Sequence, residues 1–330
     1  MSLLNKNHIA SNFKLPNTNT LVFVDGIPQP QLSDACLNSM LKNQTLKISK
    51  TTKIAQPIHL LFLASQNYRG TFDIIAENGS YTTIIEEYAS INNQNYISDI
   101  SCKIIAKASS EIVHYKLQTI KPKQSCHQAK IDINQQQNSK ITSIFINHGL
   151  EKTTTTLAVK LTGENASYSA IGVDLLQNSE IMQHHILIEH LVPSCTSNVL
   201  FKSIIDNKAL DNFACKVIVH PHAYKTIAHV VNKNLLLSET ATANTAPELE
   251  VYVDDVICTH GATVGQLSQE ALFYLRSRGI AKNTAIKMLT AAFIQEITAQ
   301  FLELKKHKRL QKIMEQNGIN LNLVTDIYEQ

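Results

Sequence analysis

Residues 131–188 read IDINQQQNSKITSIFINHGLEKTTTTLAVKLTGENASYSAIGVDLLQNSEIMQHHILI. Four runs, Ile141–Ile146, Thr156–Leu161, Tyr168–Leu175 and Met182–Ile188, are rich in isoleucine, valine, leucine, threonine and tyrosine. β-Branched and aromatic side chains fit a pleated surface better than a helix. Between the runs lie clusters of Asn, Gln, Ser, Lys and Gly that read as turns. Ile131, Ile144, Leu157, Ile171 and Ile186 stand as apolar anchors, separated by 13, 13, 14 and 15 residues on subtraction. One strand and one turn every dozen or so residues suits a β-solenoid, in which asparagine and threonine bridge stacked turns. A two-sheet sandwich also accommodates the strands, so the residues alone establish an all-β scaffold.

The same texture extends from about residue 45 to 260. Ile58–Leu63, Phe72–Ile75, Thr82–Ile85, Glu111–Leu117, Phe213–Val219 and Leu249–Ile257 are further runs. Only 10 glycines occur, which argues against tight primed hairpins as the main connection. Neither GxxxxGK[ST] nor GxGxxG is present, so no nucleotide is expected through either device. On either side the character changes. Leu21-Val-Phe-Val24 is a compact strand followed by the turn signal Asp25-Gly26. After residue 264 the pattern becomes helical. Ser268 is an N-cap, Glu270 lies in the first turn and Gly279 is a terminator. A longer helix opens at Asn283 or Thr284 and runs to about Leu304, with Ile286, Leu289, Phe293, Ile297 and Phe301 as one apolar stripe. A third helix is expected near Lys308–Gln316, beside a short basic run, Lys305–Arg309, that reads as a solvated helix end. The expected division is a short segment 1–44, a β core 45–264 and a helical domain 265–330.

Composition excludes several classes. Over 330 residues the chain is 44% hydrophobic and 17% charged, which is globular and long enough for a large core. A net charge of +3, no tryptophan and 6% aromatic residues argue against a nucleic-acid partner. Six cysteines, Cys36, Cys102, Cys126, Cys195, Cys215 and Cys258, lack paired spacing and suit a reducing compartment. With no apolar run of membrane-spanning length and no leader-like N-terminus, a cytoplasmic setting and no membrane partner are expected.

Candidate chemistry centres on Cys258 and His260. On a strand, positions two apart share a face, and here they stand roughly 6.6 Å apart at Cα. If one strand runs through the segment, Tyr252, Asp254 and Val256 join them on that face. Thiolate with imidazole suits zinc, iron or an iron–sulfur cluster, but two ligands do not close a tetrahedral site. A second chain would supply the rest. The ordinary alternative is a buried cysteine beside a satisfied imidazole. The other histidines read as strand and turn residues. His184 and His185 are adjacent and point to opposite faces, and Pro221 separates His220 from His222. Asp254 and Asp255 also face opposite ways, a poor acid/base pair for a β-helix carbohydrate-active enzyme, and no other carboxylate pairing stands out.

Residues 249–279, LEVYVDDVICTHGATVGQLSQEALFYLRSRG, resemble the C-terminal signature of the SufB/SufD family of the SUF iron–sulfur cluster assembly system. Within it, Cys258-Thr-His-Gly-Ala-Thr-Val-Gly265 is similar to the CSHGATVG motif of the SufD side, with Thr259 keeping the hydroxyl. Leu21–Gly26, the HPHAYKT stretch from His220 and Asn232–Leu236 are further points of likeness. The resemblance implies a right-handed parallel β-helix core with a C-terminal α-helical domain. It implies a non-enzymatic scaffold that pairs with SufB and holds a transient iron–sulfur cluster at that interface through Cys258 and His260. It also implies that Phe273, Tyr274, Leu275, Arg276, Arg278 and Gly279 dock the ATPase SufC. A homodimer in isolation and a purely structural partner without a metal site stay open. One departure is Asp206–Phe213, where relatives carry turn glycines and this chain has none.

Overall fold

The computed structural model describes residues 11–50, 56–91, 94–118, 124–298, 300–301, 306–308, 311–312 and 315. It is mainly β, a parallel β-solenoid of about seven turns. Successive strands alternate between a ten-stranded and a nine-stranded sheet, so each coil places one strand in each. Stacking is in register: Ile131 lies beside Leu157, which lies beside Ile186. Ile144 lies beside Ile171 in the other sheet. The 13–15-residue spacing is therefore half a coil.

The two sheets bury their faces differently. Ile131, Leu157 and Ile186 point into the bore and belong to the main core. Ile144 and Ile171 point outward and pack with Ile294, Ile297 and Phe301. The middle strands of the ten-stranded sheet are thus buried on both faces and read as near-continuous apolar runs such as ITSIFIN, whereas its later strands, such as Thr226–Leu236, alternate. The nine-stranded sheet leaves its outer face to water, giving strict alternation in Lys152–Leu161. Polar outward positions hid Ile97–Ala106, Thr196–Ile205 and Thr226–Leu236 as runs, and left Cys126–Gln135 marked only by the anchor Ile131. Coil corners use Ser109, Asn138, Asn165, Asn178 and Asn207 at φ near +60°, a conformation asparagine tolerates better than most residues. Side chains bridge the stack as well, with Asn165 Nδ2 donating to Asn138 Oδ1 at 3.2 Å and Asn244 Nδ2 to Asn212 Oδ1 at 2.8 Å.

At the N-terminal end Asn19–Val24 pairs in parallel with Ile58–Ala64. Asp25 and Gly26 both have positive φ and close a two-residue hairpin to Ile27–Pro28. Helix α1 (Ala35–Met40) follows. The chain leaves the solenoid into α2 (Gln269–Ser277) and α3 (Lys282–Thr298). The Ser268 hydroxyl caps α2 by accepting from Ala271 N at 3.1 Å, and Gly279 at φ +85° ends it. Helix α3 lies over the outer face of the ten-stranded sheet, touching Ser167–Leu176 and Thr196–Ile205. Its buried positions are Ala285, Thr290, Ile294, Ile297 and Thr298, with Ile286, Leu289 and Phe293 half-buried, so the stripe is rotated from the expected one. Lys202 fastens the helix by donating to the Phe293 carbonyl at 2.7 Å and pairing with Glu296 at 2.8 Å. In the expected third helix, Lys308, Gln311, Lys312 and Glu315 are helical, while Gln316, Leu304, Lys305 and Arg309 lie outside the described residues. Among the described residues no helix is long and apolar enough to cross a membrane.

Candidate functional site

The run expected over Leu249–Ile257 is two strands, Thr242–Val251 and Val256–Gln266, broken by a bend at Tyr252–Asp255. Tyr252 and Asp254 therefore do not share a strand face with Cys258 and His260, which corrects the expected five-residue face. Two adjacent aspartates, Asp254 and Asp255, fall in that bend, where a turn is cheaper than a strand. Both are exposed.

These two strands are the last of their sheets. Thr242–Val251 pairs only with Leu210–Val219, and Val256–Gln266 only with Thr226–Leu236. One edge of each is left without a neighbouring strand among the described residues, so the C-terminal end of the solenoid is open. Cys258 sits in register with Ala228 and His260 with Val230, both fully buried bore residues. Parallel partners point the same way, so Cys258 and His260 face into the bore at its mouth. Cys258 is half-buried against the main core, and His260 is exposed. Burial pushes the Cys258 thiol up, partly opposed by a hydrogen bond with the Ala228 backbone. On the opposite face the Thr259 hydroxyl meets His229 Nδ1 at 2.7 Å, pinning the strand between the two candidate ligands.

The open end is apolar at its rim. Val251, Tyr252, Ile257 and Val264, in the last two strands and the bend between them, are exposed by 41–60%. A parallel edge with unpaired amides and carbonyls is a template for further strand pairing. The SufC-docking candidates lie on α2 and its end. Phe273 and Tyr274 are exposed by 74% and 58%, Leu275 is half-buried, and Arg276, Arg278 and Gly279 are exposed. The Arg278 guanidinium stacks 5.4 Å over the Tyr274 ring. The buried anchor of α2 is Leu272. His184 is a strand residue, as expected, and the fold brings it together with the carboxylates of Asp174 and Asp211 inside the bore.

The fold is a parallel β-solenoid whose last strands, each with one edge unpaired among the described residues, carry a half-buried cysteine and an exposed histidine. The family model for the SufBD core domain of SUF system FeS cluster assembly matches residues 64–293, most of the chain, and the chain belongs to that family. It is similar to the iron–sulfur cluster assembly protein SufD of Escherichia coli (strain K12), 29% identical over 84% of this chain and 74% of that protein. An iron–sulfur cluster assembly SufBD family protein of Synechocystis sp. is 31% identical over 79% of this chain, which spans 60% of that relative's length. Another from Mycobacterium leprae is 23% identical over 86% of this chain and 74% of the relative.

Proposed function

We propose that this chain is the SufD-type scaffold subunit of a SUF assembly. It pairs through its open C-terminal coil with a SufB-type chain and binds the ATPase SufC through α2. The iron–sulfur cluster is cargo, built transiently where the two solenoid ends meet. His260 contributes an imidazole from the exposed mouth, and Cys258 contributes a thiolate once iron binding displaces its proton. The observation that carries this reading is that the Cys258–Gly265 motif lies on the edge strand of the ten-stranded sheet, a strand unpaired on one side among the described residues. A ligand pair that cannot close a metal site alone stands where a second chain would add strands and ligands.

Replacing His260 with alanine removes an exposed side chain, so the complex should assemble at unchanged size. Cluster absorbance per complex after anaerobic loading with iron and sulfide should fall to about a tenth or less, as loss of a second-sphere or direct ligand typically gives. Undiminished loading would refute the ligand role. A second expectation concerns α2. Phe273→Asp with Tyr274→Asp changes two exposed residues and should leave the melting temperature within about 2 °C. Co-purification of SufC with the variant should drop at least tenfold. Retention at the parent level would place the ATPase contact elsewhere.

A further inference from the structure

A second group of ionisable side chains lies deep in the bore, remote from the mouth. Asp174 points inward from Ser167–Leu176, stacked between Asn147 and Ser203 of the neighbouring coils. His184 and Asp211 face it from the other sheet, on Ile181–His190 and Leu210–Val219. Counting along the Asp174 column, Ser203, Asn234 and Val264 follow, so Asp174 is three rungs, roughly 14 Å, from the edge strand. One ligand atom from each of Asp174, His184 and Asp211 lies within 4.8 Å of the others. All three residues are at most 1% exposed.

Their fixed bonds leave room for one more partner. His184 Nε2 lies 3.0 Å from Asp174 Oδ2, and Asn147 Nδ2 donates to Asp174 Oδ1 at 2.7 Å. The Ser203 hydroxyl donates to Asp211 Oδ2 at 2.5 Å and lies 3.4 Å from Asp174 Oδ2. Asp211 Oδ1 and His184 Nδ1 are buried with no hydrogen-bond partner in the protein. Two carboxylates in a dry interior repel each other, and one imidazole offsets at most one of them.

We propose that Asp174, His184 and Asp211 form an internal site for a divalent first-row transition-metal ion, distinct from Cys258 and His260. Two carboxylate oxygens and one imidazole nitrogen neutralise such an ion and match the donor preferences of Zn²⁺, Fe²⁺ and Mn²⁺. No thiolate is in the set, which separates it from a cluster site. Asn147 and Ser203 hold the carboxylates as supporting groups do around metal centres. The ligands come from three strands and converge only when the coils stack, so the ion would be captured as the chain folds.

The test refolds the chain anaerobically with Zn²⁺, Fe²⁺ or Mn²⁺ separately, removes loose metal with a chelator, and measures ions retained per chain. About one equivalent of at least one of these ions is expected in the parent and equally in the Cys258→Ser, His260→Ala double variant, with a raised melting temperature. Asp211→Asn keeps size and shape and should fold without metal, yet retain less than a tenth of an equivalent and show no metal-dependent shift. His184→Gln gives the same reading should Asp211→Asn fail to fold. Retention of no ion by the parent, undiminished retention by Asp211→Asn or His184→Gln, or loss confined to the Cys258/His260 variant would each overturn the internal site. The last outcome would leave the proposed role of the mouth intact.

Discussion

Gly172→Val is expected to lower folding stability by about 3 kcal/mol or more, enough to shift a urea midpoint well outside error. Gly172 stands in a bore column between Phe145 and Phe201, one rung from each. Side chains two rungs apart would be roughly 10 Å apart, yet the two rings lie 5.9 Å centre to centre. The Phe201 ring leans across the empty glycine position. A Cβ at residue 172 would fall 2.1 Å from Phe201 Cδ1 and Cε1. The ring has nowhere to retreat, because His184 and Phe213 hold its other side at 4.8 and 5.3 Å. Valine adds two methyl groups to that collision. Phe201→Leu alone should also destabilise, by about 1–2 kcal/mol, through lost packing. Combined with Gly172→Ala, however, it should cost less than the sum of the single changes, because it clears the site the new methyl needs. Additive costs in that double-mutant cycle, or a Gly172→Val chain as stable as the parent, would contradict this packing.

What the sequence made legible follows from the same stacking. Ile131, Leu157 and Ile186 revealed the coil because a parallel ladder in register repeats a bore position at nearly constant spacing. Ile144 and Ile171 fitted the same rhythm although they face outward under α3, because period and side are independent when a strand is buried on both faces. The cap at Ser268 and the stop at Gly279 were readable because they act within one turn of helix. Cys258 and His260 were readable as a pair because they are neighbours on one strand. Where that strand lies in its sheet was not, since an edge is a property of what fails to follow it. The Asp174, His184 and Asp211 cluster was invisible for a different reason. Its members sit on separate strands and meet across the bore, and which positions of two facing sheets come opposite one another is not written in any one stretch of sequence. Adjacent His184 and His185 were correctly placed on opposite faces, but nothing local told which face was the bore.

Lys116→Met should make the protein less dependent on alkaline pH for its stability, with a swing of about 3 kcal/mol between pH 7 and pH 10.5. Lys116 is fully buried in the bore, with Nζ 2.7 Å from His127 Nε2 and 4.8 Å from the Tyr88 ring centre. Burial lowers its pKa from 10.5 to about 8, with Glu86 pulling the other way. His127, held well below its ordinary value by burial and by Lys116, is neutral and accepts the lysine's proton at Nε2 while Nδ1 meets Ser98 Oγ at 2.8 Å. Glu86 is not left alone by the substitution, for it keeps His114 at 2.8 Å and the Tyr88 hydroxyl. Below pH 8 the lysine is charged in both folded and unfolded chains, and the folded chain carries the full penalty of burying it. Between pH 8 and 10.5 the unfolded chain holds the extra proton, so parent stability rises with pH across that window. A pKa lowered from 10.5 to about 8, at about 1.36 kcal/mol per pH unit, gives the swing of about 3 kcal/mol. Methionine has nearly the same reach and no charge, so the variant lacks this rise. Its absolute gain at pH 7 is reduced by the donor that His127 loses, about 1–3 kcal/mol. The difference between variant and parent should nevertheless fall steadily from pH 8 upward in urea titrations. Parallel stability curves for the two proteins from pH 7 to 10 would mean that Lys116 keeps an ordinary ammonium inside the solenoid.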